Sequence, residues 1–317
     1  MISIEGTFLC DNKGMDNEPS YLALYRSGEL GRRAEQALAG LERCSNCPRR
    51  CNANRFKDQL GTCKIGRYAR VSSYFPHHGE EDCLSGQMGS GTIFFAQCNL
   101  RCVFCQNYDI SQSGDFPEAP PERLAEMMLE LQELGCHNIN FVTPSHVVAQ
   151  ILEALPLAVE RGLRLPLVFN TSGYDSVPTL RLLDGVIDIH MPDFKMCSEV
   201  FSLKYLLAKD YSKVAQAALQ EMHRQVGDLA LDENGIARRG LLVRHLVMPS
   251  SVAGTEQVMK FISRKISPNT YVNLMEQYHP AWKVDSTRFR EINRHPTTEE
   301  YQQALELTHK AGIHRLA

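Results

Sequence analysis

The stretch GTIFFAQCNLRCVFC, residues 91–105, joins a short apolar run to three closely spaced cysteines. Their spacing is Cys98-x3-Cys102-x2-Cys105, and no fourth cysteine follows nearby. A short apolar run rich in β-branched and aromatic residues predicts a buried strand, which here ends at the cysteines. Three thiolates on a four-iron cluster leave one iron without a protein ligand and free to bind a small molecule.

From this first strand onward, apolar runs alternate with segments of helical periodicity. Six β–α units in succession predict an α/β fold with a parallel sheet and right-handed crossovers. The turn signal DENG predicts a hairpin over residues 229–240 that leads into the fifth strand. The six predicted strands are GTIFFA (91–96), NINFVTP (138–144), LPLVFNTSG (165–173), GVIDIHMPDF (185–194), GLLVRHLVMP (240–249) and TYVNLMEQY (270–278).

Polar side chains occur at the carboxyl end of every predicted strand. In barrel-type α/β folds the ligands and the chemistry lie at that edge of the sheet. We therefore expect the residues there to share one site: Cys98, Thr143, Ser145, Asn170, Ser172, Asp193, Lys195, Arg244, His245, Gln277 and Tyr278.

The composition is that of an ordinary soluble globular protein, with 317 residues, 43% hydrophobic and 22% charged. The net charge of −3 disfavours a generic nucleic-acid binder. We find no run of eighteen apolar residues and no signal-peptide pattern, so we expect a cytoplasmic protein without a membrane partner. Thiols stay reduced in that compartment, and eleven cysteines therefore indicate metal sites rather than disulfides.

A second group of cysteines precedes the first strand, in CSNCPRRCNANRFKDQLGTC, residues 44–63. Four thiolates with a tight pair at one end are typical of a closed metal site, either structural zinc or an iron–sulfur cluster. The ligands would be Cys44, Cys47, Cys51 and Cys63. The neighbouring arginines, Arg49, Arg50 and Arg55, are interpreted as a solvated face or as a grip on an anionic substrate.

These patterns divide the chain into three parts. Residues 1–43 form a helical lead-in, residues 44–90 a Cys-rich metal-binding segment with little periodicity, and residues 91–317 the β–α domain. The isolated cysteines are interpreted as small buried apolar residues. They are Cys10, Cys83, Cys136 and Cys197.

The segment GSGTIFFAQCNLRCVFCQNYDIS, residues 89–111, resembles the signature of the radical S-adenosylmethionine (SAM) superfamily. Within it, the chain is most similar to the pyruvate formate-lyase activating enzymes and a related branch. The resemblance implies a partial (β/α)6 TIM-type barrel, here with a Cys-rich N-terminal extension. It also implies a [4Fe–4S] cluster on Cys98, Cys102 and Cys105 whose open iron binds SAM, with Phe104 near the adenine. Reductive cleavage of SAM would give a 5′-deoxyadenosyl radical that abstracts a hydrogen atom from substrate.

The same resemblance assigns roles to the strand ends. NTSG and DFK are similar to the family's DTNG and DLK, which implies that Asn170 and Ser172 contact the ribose and that Asp193 and Lys195 belong to the site. Arg244 would bind the SAM carboxylate through its bidentate guanidinium. Two departures stand out. FVTPSH replaces the family's GGE, so Thr143 and Ser145 would contact the SAM amino group, and EQYHP replaces PFH, so Tyr278 or His279 takes that place.

The substrate stays open between a glycyl-radical enzyme and a small molecule, and the four-cysteine prefix argues against a standard activating enzyme. A flavodoxin or ferredoxin would be the reductant. An alternative is a non-catalytic iron–sulfur or zinc protein that relays electrons or binds a partner. A zinc-ribbon RNA protein is disfavoured by the single Trp and negative charge. The segment FPHHGEED, residues 75–82, is either a surface loop or brings a carboxylate to the active site; His78, Glu80 and Glu81 carry this question.

Overall fold

The computed structural model describes residues 18–317, so Cys10 and the start of the predicted lead-in lie outside the described residues. Nine strands in that part of the chain form one sheet, in the order β3-β1-β2-β4-β5-β6-β8-β7, with β9 paired to β8. The strands are β1 (Ala69–His77), β2 (Ser90–Phe95), β3 (Glu118–Ala119), β4 (Ile139–Val142), β5 (Leu167–Thr171), β6 (Ile189–Pro192), β7 (Ala230–Leu231), β8 (Ala237–Leu246) and β9 (Tyr271–Met275).

The six strands predicted from the sequence are β2, β4, β5, β6, β8 and β9. Each pairs in parallel with its neighbour, and the sheet is open, because β2 and β9 do not pair with each other. The predicted α/β class is therefore confirmed, and the open sheet is consistent with a partial barrel. The hairpin is also confirmed, since β7 runs antiparallel to the start of β8.

Helices connect the parallel strands. Their ends follow local chemistry: α4 begins at a proline, and Thr297 and Glu300 form a capping box at the start of α10. None of the helices in residues 18–317 is long and apolar enough to cross a membrane. The helices are α1 (Tyr21–Arg26), α2 (Glu29–Ala39), α3 (Asp82–Ser85), α4 (Pro121–Glu133), α5 (Val148–Glu160), α6 (Val177–Leu182), α7 (Glu199–Phe201), α8 (Tyr211–Val226), α9 (Thr255–Phe261) and α10 (Thr298–Lys310).

The two faces of the sheet have different environments because successive side chains of a strand point in opposite directions. On β4, Ile139 and Phe141 belong to the large core that also contains the helices. Asn140 lies between them in sequence and therefore faces the inside of the barrel. A second, smaller core closes the bottom of that interior and includes Cys83, Leu84, Val168, Ile189 and Leu242.

Strand β1 is the main feature that the sequence analysis missed. It belongs to the segment described as lacking periodicity, yet it pairs antiparallel to β2, with His77 opposite Ser90. Because it runs against β2, it ends at the amino edge of the parallel strands. Helix α3 follows directly and contributes Cys83 and Leu84 to the apolar floor of the barrel.

Candidate functional site

The three closely spaced cysteines lie in the loop that follows β2, at the carboxyl edge of the sheet. Cys98 and Cys102 are buried and Cys105 is half-buried. The Leu100 amide donates to Cys98 Sγ at 3.3 Å, and Cys105 Sγ lies 3.1 Å from Ser111 Oγ. Burial raises the pKa of Cys98 to about 11 and that of Cys102 further. Buried thiolates therefore need a positive partner here, which a metal centre would provide.

A cavity of about 250 Å³ opens beside this loop. It brings together seven of the residues predicted from the sequence, namely Cys102, Phe104, Cys105, Asp193, Lys195, Arg244 and Gln277, with Gln106, Asn107, Leu246 and Met275. The cysteines come from the end of β2, whereas the charged residues follow β6 or lie on β8. The expectation that carboxyl ends of different strands converge on one site is thus met for this set.

Asp193, Lys195 and Arg244 form a charged group on the cavity wall. Lys195 Nζ lies 2.5 Å from Asp193 Oδ2, and Arg244 Nε lies 2.9 Å from Asp193 Oδ1. Arg244 also donates to Asn170 Oδ1 at 2.8 Å. Burial opposes ionisation of Asp193, but Arg244 and Lys195 hold the pKa of its carboxyl below the usual value. Two cations share one carboxylate, and this group therefore favours an anionic ligand such as a carboxylate.

The strand ends that carry this group are held at close range. Gly173 has φ +74°, and a Cβ there would lie 2.3 Å from the Asp193 carbonyl oxygen. The Tyr211 hydroxyl lies 3.0 Å from the same carbonyl oxygen and 2.9 Å from that of Ser172. Only glycine permits this approach, so the sequence NTSG fixes the distance between β5 and the Asp193 loop.

Other predicted residues lie at the same edge but do not line the cavity. Thr143 has a left-handed backbone, and its amide donates to the Asn170 carbonyl. Ser145 Oγ lies 2.8 Å from Thr171 Oγ1, and Ser172 Oγ is buried without a hydrogen-bond partner. The Asn170 side chain reaches the site through Arg244.

The remaining predicted residues, Tyr278, His279 and His245, differ in burial and in hydrogen-bond partners. Tyr278 is buried, packs its ring 5.9 Å from Phe104 and donates its hydroxyl to the Ile292 carbonyl, whereas His279 is exposed. His245 hydrogen-bonds with the Phe194 carbonyl and Thr255. Tyr278 therefore supports Phe104 from behind, and His245 does not face the cavity.

Asp175 provides a measurable pH dependence. Thr171 donates to it at 2.6 Å, and burial raises its pKa from 3.8 to about 6. Because the folded pKa lies above the unfolded one, its stabilising contribution is present below pH 4 and is lost as the pH rises through 6. We expect Asp175→Asn to increase the free energy of unfolding at pH 8 by up to about 3 kcal/mol and to change it little at pH 4. Anaerobic urea unfolding of both proteins across this range measures the difference, and parallel pH curves would contradict it.

The second group of cysteines lies beside the barrel. Cys44, Cys47 and Cys63 are buried, and Cys51 is half-buried. Backbone amides two residues further along donate to the thiols of Cys44 and Cys47, and burial raises the pKa of both. Gly61 packs so closely on Cys51 that an added Cβ would lie 2.3 Å from its Sγ. The backbone of this loop therefore packs closely against the cysteine sulfur atoms.

Arg55 lies among these four cysteines. Only 1% of the residue is exposed, so the interpretation that Arg55 belongs to a solvated face is wrong. Its NH2 donates to Cys63 Sγ at 3.3 Å, its NH1 donates to the His146 carbonyl at 2.8 Å, and its Nε has no partner. Burial opposes its charge, but nearby thiolates, first that of Cys63, raise its pKa above the usual value. Within the described residues it pairs with no carboxylate, and sulfur is therefore its available counter-charge.

Hydrogen bonds join the two cysteine loops. Arg49, two residues after Cys47, donates to the Asn99 carbonyl at 2.8 Å. Arg101, in the loop between Cys98 and Cys102, donates to the Thr62 carbonyl beside Cys63. Each loop thus contributes an arginine that holds the backbone of the other.

Thiols are the donor groups that both sets of cysteines offer. Among residues 18–317, no three His, Cys, Asp or Glu side chains converge on one point where a single metal ion would bind. Thiolates can bind one zinc ion together or the separate iron atoms of a cluster. Structural zinc and an iron–sulfur cluster therefore both stay open for Cys44, Cys47, Cys51 and Cys63.

The segment FPHHGEED does not form a surface loop throughout. The Glu80 side chain is only 8% exposed, and its Oε2 lies 3.8 Å from Arg244 NH1. Asn273 donates to Glu81 Oε1 at 2.9 Å. Burial raises the pKa of Glu80 to about 7, with Arg244 opposing this shift. A carboxylate of this segment, that of Glu80, therefore lies near Arg244 of the cavity wall, although Glu80 does not line the cavity itself.

Asn140 and Asn273 were not among the predicted site residues. Both occupy barrel-facing positions in the middle of otherwise apolar strands, INFV and YVNLM. A mid-strand amide in such a run is the sequence signal that indicates a polar barrel interior.

The chain is similar to several known proteins. Residues 92–191, which contain all three closely spaced cysteines, β4, β5 and most of β6, match the radical SAM superfamily. The chain is 32% identical over 294 residues to the uncharacterized protein MJ0674 of Methanocaldococcus jannaschii, covering 90% of this chain and 79% of that protein. A solved structure of TYW1 with a lysine-pyruvate adduct bound aligns with a TM-score of 0.45 and 9% identity, over 69% of this chain and 73% of that chain. The chain belongs to the radical SAM superfamily.

Proposed function

We propose that this protein is an enzyme that cleaves SAM reductively at a [4Fe–4S] cluster bound by Cys98, Cys102 and Cys105. The observation that carries the proposal is the cavity in which Cys102 and Cys105 face Asp193, Lys195 and Arg244. Thiols and a net cationic group that line the same cavity match the two things that SAM requires, an iron site and a partner for its carboxylate. When bound, the cluster supplies the electron that cleaves SAM to methionine and a 5′-deoxyadenosyl radical.

The residues around the cavity would bind and orient SAM. Arg244 is already aligned by Asp193 and Asn170, so its guanidinium would bind the SAM carboxylate with little loss of side-chain entropy. Phe104, held from behind by Tyr278, would pack against the adenine. Ser172 Oγ is buried and unpartnered, which suits a ribose hydroxyl together with Asn170.

The SAM amino group would bind near the end of β4. Ser145 Oγ already lies within hydrogen-bonding distance of Thr171, whereas Thr143 is half-buried at the strand end. This difference favours Thr143 over Ser145 as the contact. Burial of the surrounding side chains would keep water away from the radical until it abstracts a hydrogen atom from substrate.

We also propose that Cys44, Cys47, Cys51 and Cys63 bind a second iron–sulfur cluster rather than zinc. The buried charge of Arg55 supports a metal centre on these cysteines, because four thiolates around either centre carry the negative charge that this guanidinium otherwise lacks. The reduction potential of an iron–sulfur cluster depends on its burial and on hydrogen bonds to its sulfur ligands. The hydrogen bond from Arg55 to Cys63 Sγ is of this kind.

The electron donor and the substrate are proposed on the same basis. Radical SAM enzymes need an electron donor, and we propose a flavodoxin or ferredoxin. The branch related to pyruvate formate-lyase activating enzymes is our proposed affiliation, with a hydrogen atom taken from a glycyl-radical enzyme or a small molecule. The four-cysteine group in front of the barrel favours the small molecule.

Anaerobic reconstitution with iron and sulfide, followed by SAM and dithionite, tests the proposal. We expect 5′-deoxyadenosine and methionine in equal amounts, and electron paramagnetic resonance of the reduced protein should change on addition of SAM. A protein that binds only zinc and yields no 5′-deoxyadenosine would instead support a non-catalytic role.

A further inference from the structure

The interior of the barrel below the cavity contains two carboxylates that the proposed SAM site does not use. Strand β1 ends at the amino edge of β2, and residues 78–81 then turn into the barrel above its apolar floor. Glu81 is only 9% exposed. Glu80 approaches Arg244 from below, and Glu81 accepts from Asn273 on β9. The carboxylates therefore lie between the floor and the charged group of the cavity wall.

Several buried polar atoms at this level have no partner. Glu81 Oε2 and the amide atoms of Asn140 are buried and have no partner within hydrogen-bonding distance. Asn140 is nevertheless close enough to Glu80 to lower the pKa of that carboxyl, whose main shift is upward through burial. Buried polar groups are normally hydrogen-bonded, so these unpartnered atoms indicate the site of a polar ligand.

Aromatic rings form the adjoining wall. Thr92 and Phe94 on β2 pair in register with Asn140 and Val142 on β4, so Phe94 shares the barrel-facing side with Asn140. Phe75, which is 40% exposed, stacks on Phe94 at 5.5 Å, and His77 lies 5.7 Å from Phe75. Burial, with help from His78, lowers the pKa of His77, which keeps its ring neutral at pH 7. Aromatic faces beside carboxylates are the combination that binds organic cations.

The charges of the interior agree with this chemistry. Glu81 accepts a hydrogen bond from Asn273 but has no cation within salt-bridge distance among residues 18–317, whereas Glu80 lies near Arg244. We propose that this space, formed by Glu80, Glu81, Asn140, Asn273, Phe75 and Phe94, binds the substrate through a protonated amine. The substrate is thus a small organic cation whose carbon chain lies along the aromatic wall, with a C–H bond directed toward SAM. This inference rests on the proposed function and favours a small molecule over the uncharged backbone of a glycyl-radical enzyme.

Anaerobic calorimetry of the reconstituted protein, saturated with SAM, tests the inference with 1-butylamine and its neutral counterpart 1-butanol. We expect saturable 1:1 binding of butylamine at least about tenfold tighter than that of butanol, because a charge-assisted hydrogen bond is replaced by a neutral one. Glu81→Gln should weaken butylamine binding by about tenfold or more. Glu233→Gln, on the exposed β7–β8 turn, is the matched control and should leave it unchanged.

Phe75→Leu provides a second variant that does not depend on a buried charge, since the ring is partly exposed. Loss of a cation–π contact at such a site should weaken butylamine binding by about two- to fivefold. The inference would be overturned if butanol bound as tightly as butylamine, or if butylamine did not bind at all. It would also be overturned if Glu81→Gln bound butylamine as tightly as the original protein. Dithionite assays on the same samples separate the two proposals: if 5′-deoxyadenosine forms while butylamine fails to bind, only this inference is wrong.

Discussion

Cys102→Ala is expected to abolish the formation of 5′-deoxyadenosine from SAM. Cys102 is buried, and burial raises its pKa further than that of Cys98. It also lines the cavity to which Arg244 belongs. Loss of a group that merely supports a metal ligand costs about 10- to 100-fold in affinity or activity, so loss of the ligand itself should cost more than about a hundredfold. Chromatography of the products after incubation with dithionite measures the effect.

The matched control for this substitution is Cys136→Ala. Cys136 is also buried, but it packs against Gly91 near the amino end of β2, away from the cavity. Its replacement should leave 5′-deoxyadenosine formation within about twofold of the original, because only a small apolar side chain is shortened. Cleavage of SAM at an undiminished rate by Cys102→Ala would refute the assignment of this cysteine.

Cys63→Ala should reduce the iron content of the reconstituted protein from about eight to about four atoms per chain. The same substitution removes the acceptor of the buried Arg55 NH2 and leaves that charge without its sulfur partner. Breaking a buried charged interaction by removing one partner typically costs about 3–5 kcal/mol. We therefore also expect a lower free energy of unfolding and a lower melting temperature for this variant.

Metal analysis and thermal denaturation of the same samples test both parts of this expectation. Cys136→Ala again serves as the control, and it should retain the iron of both groups. Zinc at about one atom per chain, with iron unchanged at about four in both proteins, would contradict a second iron–sulfur cluster. An unchanged iron content of about eight in Cys63→Ala would exclude this cysteine as a ligand.

The alternation of strands and helices was predictable because its signals are local. Apolar runs of strand length mark β2, β4 and β5, and residues such as Thr297 define helix ends by a hydrogen bond to a neighbouring turn. Strand β1 has no comparable signal. It contains Pro76, its burial does not alternate regularly, and a bulge interrupts its pairing near Val71. Its position depends on contacts with β2 that a local pattern does not reveal.

The residues of the candidate site also divide into those that local sequence patterns predict and those that depend on distant contacts. Cys98, Cys102 and Cys105 were predictable because their ligand spacing lies within one loop, and Asp193, Lys195 and Arg244 because parallel strands end at a common edge. The buried Arg55 was not predictable, and the inward-pointing Glu80 was only one of two alternatives. Both are charged residues in irregular segments, where composition favours exposure. Their burial follows from partners distant in sequence, His146 for Arg55 and Arg244 for Glu80.

The mutual arginine bonds between the two cysteine loops have a consequence for maturation of the protein. Arg101 must be in place to hold Thr62, and Arg49 must be in place to hold Asn99, before either loop has its final shape. Each cysteine loop is thus held by a side chain of the other, so the two loops should reach their final backbone conformations together as the chain folds.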